Sequence, residues 1–249
     1  MNHALQSVED KKANAFISRL INKENDLLTA CELIISQINE HRFHEHAKNL
    51  FSRPGFSPVD IHKAIYRLDS RILITPNVDR IYEQYAFAES QGTVTLKSYY
   101  DEDVASFLRT KDIIILKVHG SIDSPSRMIF SRKQYTDARY KHMNFYKILD
   151  ALALTHTFLF LGCGLSDPDI RLTLENYTFW YPGCRPHYFV AAKGSINPDI
   201  EKSLNNNCNI SMLYYSNKDK LHSNLTKSLN VLAEKAKDGR RLIAEYEAW

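Results

Sequence analysis

The sequence predicts an α/β fold with a doubly wound, mainly parallel sheet that carries helices on both faces. Short aliphatic runs typical of buried parallel strands recur along the chain, and stretches with helical periodicity separate them. Strands that alternate with helices in this way favour a parallel sheet. The 249 residues are 44% hydrophobic, which is sufficient for one large α/β domain or two small ones.

Five buried strands and one shorter strand are expected. The buried strands are placed at 71–74, 113–118, 157–161, 187–191 and 209–214, and the shorter one at 128–130. The residues between 88 and 113 form a polar connection in which no strand is expected. A Rossmann-type domain over 1–216, with a helical N-terminal part over 1–69, follows from this pattern.

Helix ends are predicted from capping residues. Asn25 or Asp26 caps an N-terminal helix, and Ser57 with Pro58 at the first helical position begins the helix before the strand at 71. Ser131-x-x-Gln134 matches a capping box. The tail, 217–249, is expected to form one helix, or two interrupted at Gly239, packed on the domain or on a partner.

The composition excludes several classes of protein. A formal net charge of +3 and a pI near 8.5 are too mild to indicate nucleic-acid binding. The four cysteines form no Cys-x-x-Cys pair, so neither a zinc ribbon nor a disulfide framework is expected. No signal peptide and no apolar run of about 18 residues is found, so a cytoplasmic protein without a membrane span is expected.

Three neighbouring histidines, His41, His44 and His46, resemble a metal cluster at first sight. They lie among charged residues on a predicted helix, and zinc sites need all ligands to converge. We therefore interpret them as part of a solvated helix face and expect no metal.

The segment TPNVD (75–79) directly follows the first predicted strand. In open α/β sheets, ligands bind outside the carboxyl ends of the strands. Asn77 and Asp79 stand two positions apart on a turn, so both side chains can point into one pocket. An amide there can hold a carboxamide or a water, and a carboxylate can fix that geometry or stabilise a developing cation. An Asx turn that only caps the following helix, 79–88, is the alternative.

His119 ends the second aliphatic strand and is followed by Gly120, which permits close backbone approach. General bases of α/β enzymes occupy such positions. The alternative is an imidazole that only satisfies backbone groups of the loop.

A third polar segment, GCGLSDPD (162–169), follows the third strand. Its two glycines let backbone N–H groups approach an anion, and the helix that begins at Pro168 favours phosphate at its N-terminus. The alternative is a tight turn capped by Ser166. Because all three polar segments follow strands, we expect them at one edge of the sheet, as one site.

Three motifs in order, TPNVD (75–79), KVHGSI (117–122) and FLFLGCGLSDPDIR (158–171), resemble the sirtuin-like domains of bacterial antiphage defence. That family is similar to the sirtuin deacylases, but its members mostly hydrolyse NAD. The resemblance extends over about residues 27–214 and implies a Rossmann-like fold. The absence of zinc-binding cysteines agrees with the NAD hydrolase branch and disfavours the deacylase branch.

The resemblance implies a role for each polar position. Asn77 would hold the water or the nicotinamide side of the ribose, Asp79 would contact the nicotinamide carboxamide, and His119 would act as the base near the ribose hydroxyls. The remaining expected NAD-binding residues, several of them along the ribose and phosphates, are Thr75, Gly162, Gly164, Ser166 and Asp167.

The resemblance therefore implies an NAD hydrolase that releases nicotinamide and ADP-ribose and acts in defence by NAD depletion. NAD would be the substrate, and a homo-oligomer and a defence partner protein are expected. Two features depart from the family: Pro76 replaces the usual Thr or Gln, and the sequence has no Gly-Ala-Gly-x-Ser phosphate loop after a first, central strand. The alternative is a catalytically weak or inactive sirtuin-like module that binds NAD or ADP-ribose, or that serves in assembly with a defence partner.

Overall fold

A computed structural model describes residues 1–53, 55–164 and 167–247. The chain divides into two compact units, which are Met1–Pro58 with Ser70–Phe145 and Val59–Asp69 with Tyr146–Trp249. Each unit contains parallel strands joined through helices, so the predicted α/β class is confirmed. The domain boundary expected between 216 and 217 stays a prediction.

Six strands are formed within the described residues, in two parallel sheets of three. They are β1 (Ile72–Thr75), β2 (Thr95–Ser98), β3 (Ile114–Lys117), β4 (Leu159–Phe160), β5 (His187–Ala192) and β6 (Ile210–Tyr215).

Twelve α-helices are formed within the same ranges. They are α1 (Asn2–Leu5), α2 (Lys11–Arg19), α3 (Leu27–Ile38), α4 (Glu40–Phe51), α5 (Asp60–Arg67), α6 (Ile81–Glu89), α7 (Val104–Leu108), α8 (Arg132–Lys141), α9 (Met143–Thr155), α10 (Pro168–Trp180), α11 (Pro198–Cys208) and α12 (Ser223–Glu247). A π-helical turn (Leu20–Glu24) and a 3₁₀ turn (Pro125–Arg127) complete them.

The first sheet has the order β1-β3-β2, with β3 in the middle. Lys117 pairs with Thr75 on one side and with Ser98 on the other, so the three strands end at one level. Every residue of β3 is buried, as its aliphatic run predicts. The turns after β1 and β3 therefore begin side by side.

Two expectations for this unit were wrong. Strand β2 lies in the connection for which no strand was expected. It forms because its backbone pairs with the edge of β3, for example through the hydrogen bond from Thr95 N to Ile113 O, 2.9 Å. Residues 128–130 do not form a strand. Their N–H groups are used elsewhere: Ile129 N donates to His119 O at 3.1 Å and Phe130 N to the Gln134 side chain at 2.8 Å.

The N-terminal helices form a small apolar core of their own. Asp26 caps α3 by accepting from Thr29 N at 3.2 Å, as one of the two predicted caps. Ile17, Ile34 and Phe43 are among the residues buried in this core. The interpretation of the histidines on α4 as a solvated face was wrong for His44, which is only 3% exposed.

The second unit contains the sheet β4-β5-β6 and the helices α5 and α12. Leu225, Leu229 and Ala233 of α12 pack with Ala64 of α5 and with Leu68, which follows that helix. Helix α12 continues without a break through Gly239. A single glycine costs a helix about 1 kcal/mol relative to alanine, which a helix of 25 residues tolerates.

The predicted cap of α5 was wrong. The helix begins at Asp60, with Val59 in the N-cap position, rather than at Pro58 after Ser57. His62, the third helical residue, accepts through Nδ1 from the backbone N–H of the N-cap residue Val59 at 3.0 Å, as the side chain at this position does in a capping box.

Candidate active site

The turn after β1 holds Asn77 and Asp79 by a short series of hydrogen bonds. Thr75 O accepts from Val118 N at 3.1 Å, and Thr75 Oγ1 accepts from Asn77 N, also at 3.1 Å. Asp79 Oδ1 accepts from Ile81 N at 2.9 Å, so the Asx turn is formed and α6 begins two residues later than expected. Asn77 remains exposed and Asp79 is half-buried.

The buried side chain of Lys117 stabilises the turn after β1. Its side chain is almost completely buried, and Nζ donates to the backbone carbonyl of Asp79 at 2.5 Å and pairs with the carboxylate of Glu83 on α6. A buried ammonium is stable only when it is paired and hydrogen-bonded, and both conditions are met. No role was predicted for Lys117 or Glu83 from the sequence, although a lysine within an aliphatic strand indicates such a buried pair.

His119 is placed by a tight loop after β3. Gly120 has φ +78°, and a Cβ at this position would lie 2.4 Å from Arg127 O, so a side chain is excluded there. The loop is joined to the neighbouring turn by Ile122 N, which donates to Val78 O at 2.9 Å. The Tyr99 hydroxyl donates to Arg127 O at 3.0 Å, and burial raises the pKa of Tyr99 to about 12.

The imidazole of His119 contacts Tyr135 on α8. The Tyr135 hydroxyl lies 3.0 Å from His119 Nε2, and the two rings meet edge to face, with centroids 5.1 Å apart. Tyr135 was not singled out from the sequence, where only the capping box at Ser131 and Gln134 pointed to a helix here.

Asn77, Asp79, His119 and Tyr135 line one cleft of about 290 Å³. The rest of its wall is apolar, and Leu27, Leu28, Cys31, Phe51, Pro76, Ile129 and Phe130 contribute to it. Asn77, Asp79 and His119 thus come together from two of the three polar segments, whereas the expectation that all three segments form one site stays a prediction. An apolar wall with a few convergent polar groups is the usual form of a small-molecule site.

Cys31 lies in the wall of this cleft, but its chemistry is that of an apolar group. Burial raises the pKa of its thiol to about 12, so the thiolate needed for nucleophilic attack is not formed near neutral pH. The polar chemistry of the cleft therefore belongs to the amide, carboxylate, imidazole and phenol.

Helix α8 is anchored to the N-terminal helices. The predicted capping box is confirmed: Ser131 accepts from Gln134 N, and the Gln134 side chain accepts from Ser131 N. The amide nitrogen of Gln134 donates to Glu40 Oε1 at 2.7 Å and lies 3.1 Å from His44 Nε2. Burial lowers the pKa of His44, which favours the neutral ring in this contact.

The third polar segment lies in the second unit. Gly162 has φ +63°. Asp167 caps α10 by accepting from Asp169 N at 3.0 Å and Ile170 N at 3.1 Å. Ser166, which the sequence analysis named as a possible cap, lies outside the described residues. The assignment of Gly162, Gly164, Ser166 and Asp167 to NAD binding stays a prediction.

No group of three or more His, Cys, Asp or Glu side chains in the described part of the chain could hold a metal ion. Within the same residues, no helix is both long and apolar enough to cross a membrane.

Parallel strands with a polar cleft after the ends of two of them are typical of α/β proteins whose ligands bind outside the carboxyl ends of the strands. A family model described as the SIR2-like domain matches residues 71–213, more than half of the chain. The chain belongs to the SIR2-like family, and the resemblance drawn from its motifs is confirmed.

Three curated relatives that carry the name NAD(+) hydrolase ThsA are similar to this chain. The protein from Bacillus cereus (strain MSX-D12) is 28% identical over 185 residues, which are 72% of this chain and 38% of the relative. The protein from Acinetobacter baumannii (strain 532279) is 22% identical over 232 residues, 92% of this chain and 44% of the relative. The Enterococcus faecium protein is 29% identical over 136 residues, 53% of this chain and 28% of the relative. The chain thus spans less than half the length of these relatives.

Proposed function

We propose that this chain hydrolyses NAD at the bond between nicotinamide and ribose, releasing nicotinamide and ADP-ribose. The observation that carries the proposal is the cleft in which Asn77, Asp79 and His119 come together at the ends of β1 and β3. The names of the relatives support hydrolysis of NAD, without specifying the bond.

The chemistry needs groups of the kind that the cleft provides. The C–N bond between the ribose and nicotinamide breaks with its electron pair moving to the ring nitrogen, and a cationic, oxocarbenium-like ribose develops. Water adds to this carbon and loses a proton, so NAD⁺ and water give nicotinamide, ADP-ribose and one proton. Oriented dipoles and a carboxylate stabilise developing positive charge, and a positioned base accepts the proton.

Each polar side chain takes one part of this reaction in our proposal. The exposed amide of Asn77 orients the water or the ribose, and Asp79 binds the carboxamide of nicotinamide. His119 acts as the base near the ribose hydroxyls. The apolar wall, which includes Phe51 and Phe130, accommodates the flat nicotinamide ring and excludes bulk water.

The test is nicotinamide release from NAD by the wild type and by Asn77→Ala and His119→Ala. We expect turnover by the wild type and a loss of about 100-fold or more in each variant, because loss of a positioned base costs about 10²–10⁴ and loss of an oriented polar group about 10²–10³. Asn22→Ala and His41→Ala alter exposed residues of the same unit and should stay within about twofold of the wild type. Turnover that survives in both cleft variants would contradict the site assignment.

A module that binds NAD or ADP-ribose without turnover is the second candidate, and Pro76 favours it, because a proline has no backbone N–H to donate where the family usually has Thr or Gln. Calorimetry separates the two readings. Binding of NAD without nicotinamide release would support the module, whereas catalytic release excludes it.

Self-association, a defence partner protein and action by NAD depletion follow from the family resemblance and are part of the proposal. Light scattering at micromolar concentration tests the first of these. A monomer under those conditions would contradict self-association.

A further inference from the structure

We propose that Tyr135 is a positioning residue, which holds the imidazole of His119 in the orientation that the reaction uses. The inference rests on the proposed function, because it assigns His119 the role of base. It adds a residue on a separate helix, 16 positions further along the chain, to the group that performs the chemistry.

The contact between the two side chains is specific in distance and in angle. The hydroxyl lies 3.0 Å from His119 Nε2, and the rings are inclined by 78°. An edge-to-face ring contact and a hydrogen bond together restrict both rotation and tilt of the imidazole. Tyr135 is only 5% exposed, so its own ring is fixed by packing.

A phenol suits a base that changes its protonation state. The hydroxyl can donate to Nε2 when that nitrogen is unprotonated, and it can accept from Nε2–H when the ring carries a proton there. Because the phenol faces Nε2 in both forms, the base gains and loses its proton at Nδ1, and the hydrogen bond to Tyr135 persists throughout. Phenylalanine at the same position would keep the packing and remove this support.

Tyr135 is itself held at a defined place. The preceding residue, Gln134, bonds Glu40 of α4, while Arg132 Nη2 lies 3.0 Å from Asp26 Oδ1 and Arg132 Nε donates to Thr29 Oγ1 at 3.0 Å. The first turn of α8 is thus connected to both α3 and α4. A positioning group acts through such anchoring, because a loosely held partner would not restrict the base.

The kinetic test compares Tyr135→Phe with Tyr140→Phe. Tyr140 lies on the same helix and is 82% exposed, so the second variant is a matched control for loss of a phenolic hydroxyl. We expect Tyr135→Phe to lower kcat at least about tenfold, the value of one hydrogen bond that supports the transition state, and to leave KM for NAD within about twofold. The control should match the wild type in both constants. An unchanged kcat in Tyr135→Phe would overturn the inference.

A second measurement does not depend on turnover. The ¹⁵N resonances of the His119 ring, assigned by comparison with His119→Ala, report hydrogen bonding and tautomer directly. The Nε2 resonance should shift in Tyr135→Phe and not in Tyr140→Phe, and an identical spectrum in both variants would overturn the inference. If the wild type released no nicotinamide, the proposed function would fail, and the ring resonances would still decide whether Tyr135 holds His119.

Discussion

The buried ammonium of Lys117 supports the turn that carries two residues of the candidate site. Its ammonium lies under the turn that carries Asn77 and Asp79 and is balanced by Glu83, with side-chain exposures of 1% and 4%. Removing one member of such a pair leaves the other charge buried without compensation.

We predict that Lys117→Met lowers the free energy of unfolding by about 3–5 kcal/mol, measured by urea denaturation. The double variant Lys117→Met/Glu83→Met should recover most of this loss, because no buried charge remains. Lys133→Met, which breaks an exposed pair with Asp137, is the control and should cost below about 1 kcal/mol. Equal losses in the two single variants would contradict the role of burial.

We expect the buried His187 to make stability depend on pH. Nδ1 accepts from Phe158 N at 3.0 Å, and the ring packs against Phe158 and against Tyr177, whose pKa burial raises to about 12. Burial lowers the pKa of His187 from its ordinary value of 6.5, so the folded chain binds fewer protons than the unfolded chain below that pH. The stability contributed by the neutral ring is complete above about pH 6.5 and is lost as the pH falls toward the lowered pKa.

We therefore predict that the wild type loses more stability between about pH 7.5 and about pH 5 than His187→Asn does. The asparagine amide oxygen can accept from Phe158 N and does not titrate in this range. Urea denaturation at both pH values measures the difference. Equal losses in the two proteins would show that another group is responsible.

The residues of the candidate site were predictable in part. Asn77, Asp79 and His119 could be found because a residue that follows a parallel strand has a known place at the sheet edge. Tyr135 could not, because its contact depends on how α8 packs on the N-terminal helices, and no local pattern encodes that packing. His44 was misassigned for the same reason, since burial of one histidine on a polar helix is decided by its neighbours.

At the scale of elements, the loop between β3 and α8 depends on the backbone of Gly120. The positive φ and the 2.4 Å approach of a built Cβ to Arg127 O are two separate obstacles to a side chain. Gly92 provides a matched comparison, because it has φ +82° and no atom within 4 Å of the Cβ position.

We predict that Gly92→Ala costs about 1 kcal/mol, the strain of left-handed backbone alone. Gly120→Ala should cost at least about 2 kcal/mol, because the overlap with a carbonyl is added, and it should also reduce nicotinamide release by displacing His119. Thermal unfolding and the release assay measure both effects. A similar cost for the two variants would mean that the loop around Arg127 shifts readily to accommodate the added methyl group.

Element prediction succeeded where periodicity was strong and failed where tertiary contacts decided. The cores of β1, β3, β5 and β6 were located to within one or two residues, because aliphatic runs of this length have few alternatives. Strand β2 was missed because its residues become a strand only against the edge of β3. Residues 128–130 have strand-like composition, but their donors are taken by His119 and Gln134.

At the scale of the whole molecule, the residues matched to the SIR2-like domain, 71–213, leave α5 and α12 outside. These helices are nonetheless part of the core of the second unit, where Leu229 is 3% exposed. We predict that Leu229→Ala lowers the free energy of unfolding by about 2–5 kcal/mol, the usual cost of a cavity in a core. Val231→Ala, at a position 57% exposed on the same helix, should change it by less than about 0.5 kcal/mol. If Leu229→Ala were equally mild, α12 would not be part of this core.

The α/β class and the family followed from the order of strands, helices and three motifs, because these features are encoded locally. The division into two units could not be predicted from the sequence in this way. Val59–Asp69 belongs to the second unit although both of its neighbours in sequence belong to the first. This segment belongs to the second unit because it packs against α12. Hydrophobic periodicity does not indicate which distant helix a segment packs against.

The most direct measurement is the quantity of both products formed when the purified chain is incubated with NAD. Hydrolysis at the cleft predicts nicotinamide and ADP-ribose in equal amounts from the wild type, and neither product above background from Asn77→Ala or His119→Ala. A folded wild-type sample that binds NAD and forms neither product would contradict the proposed hydrolase.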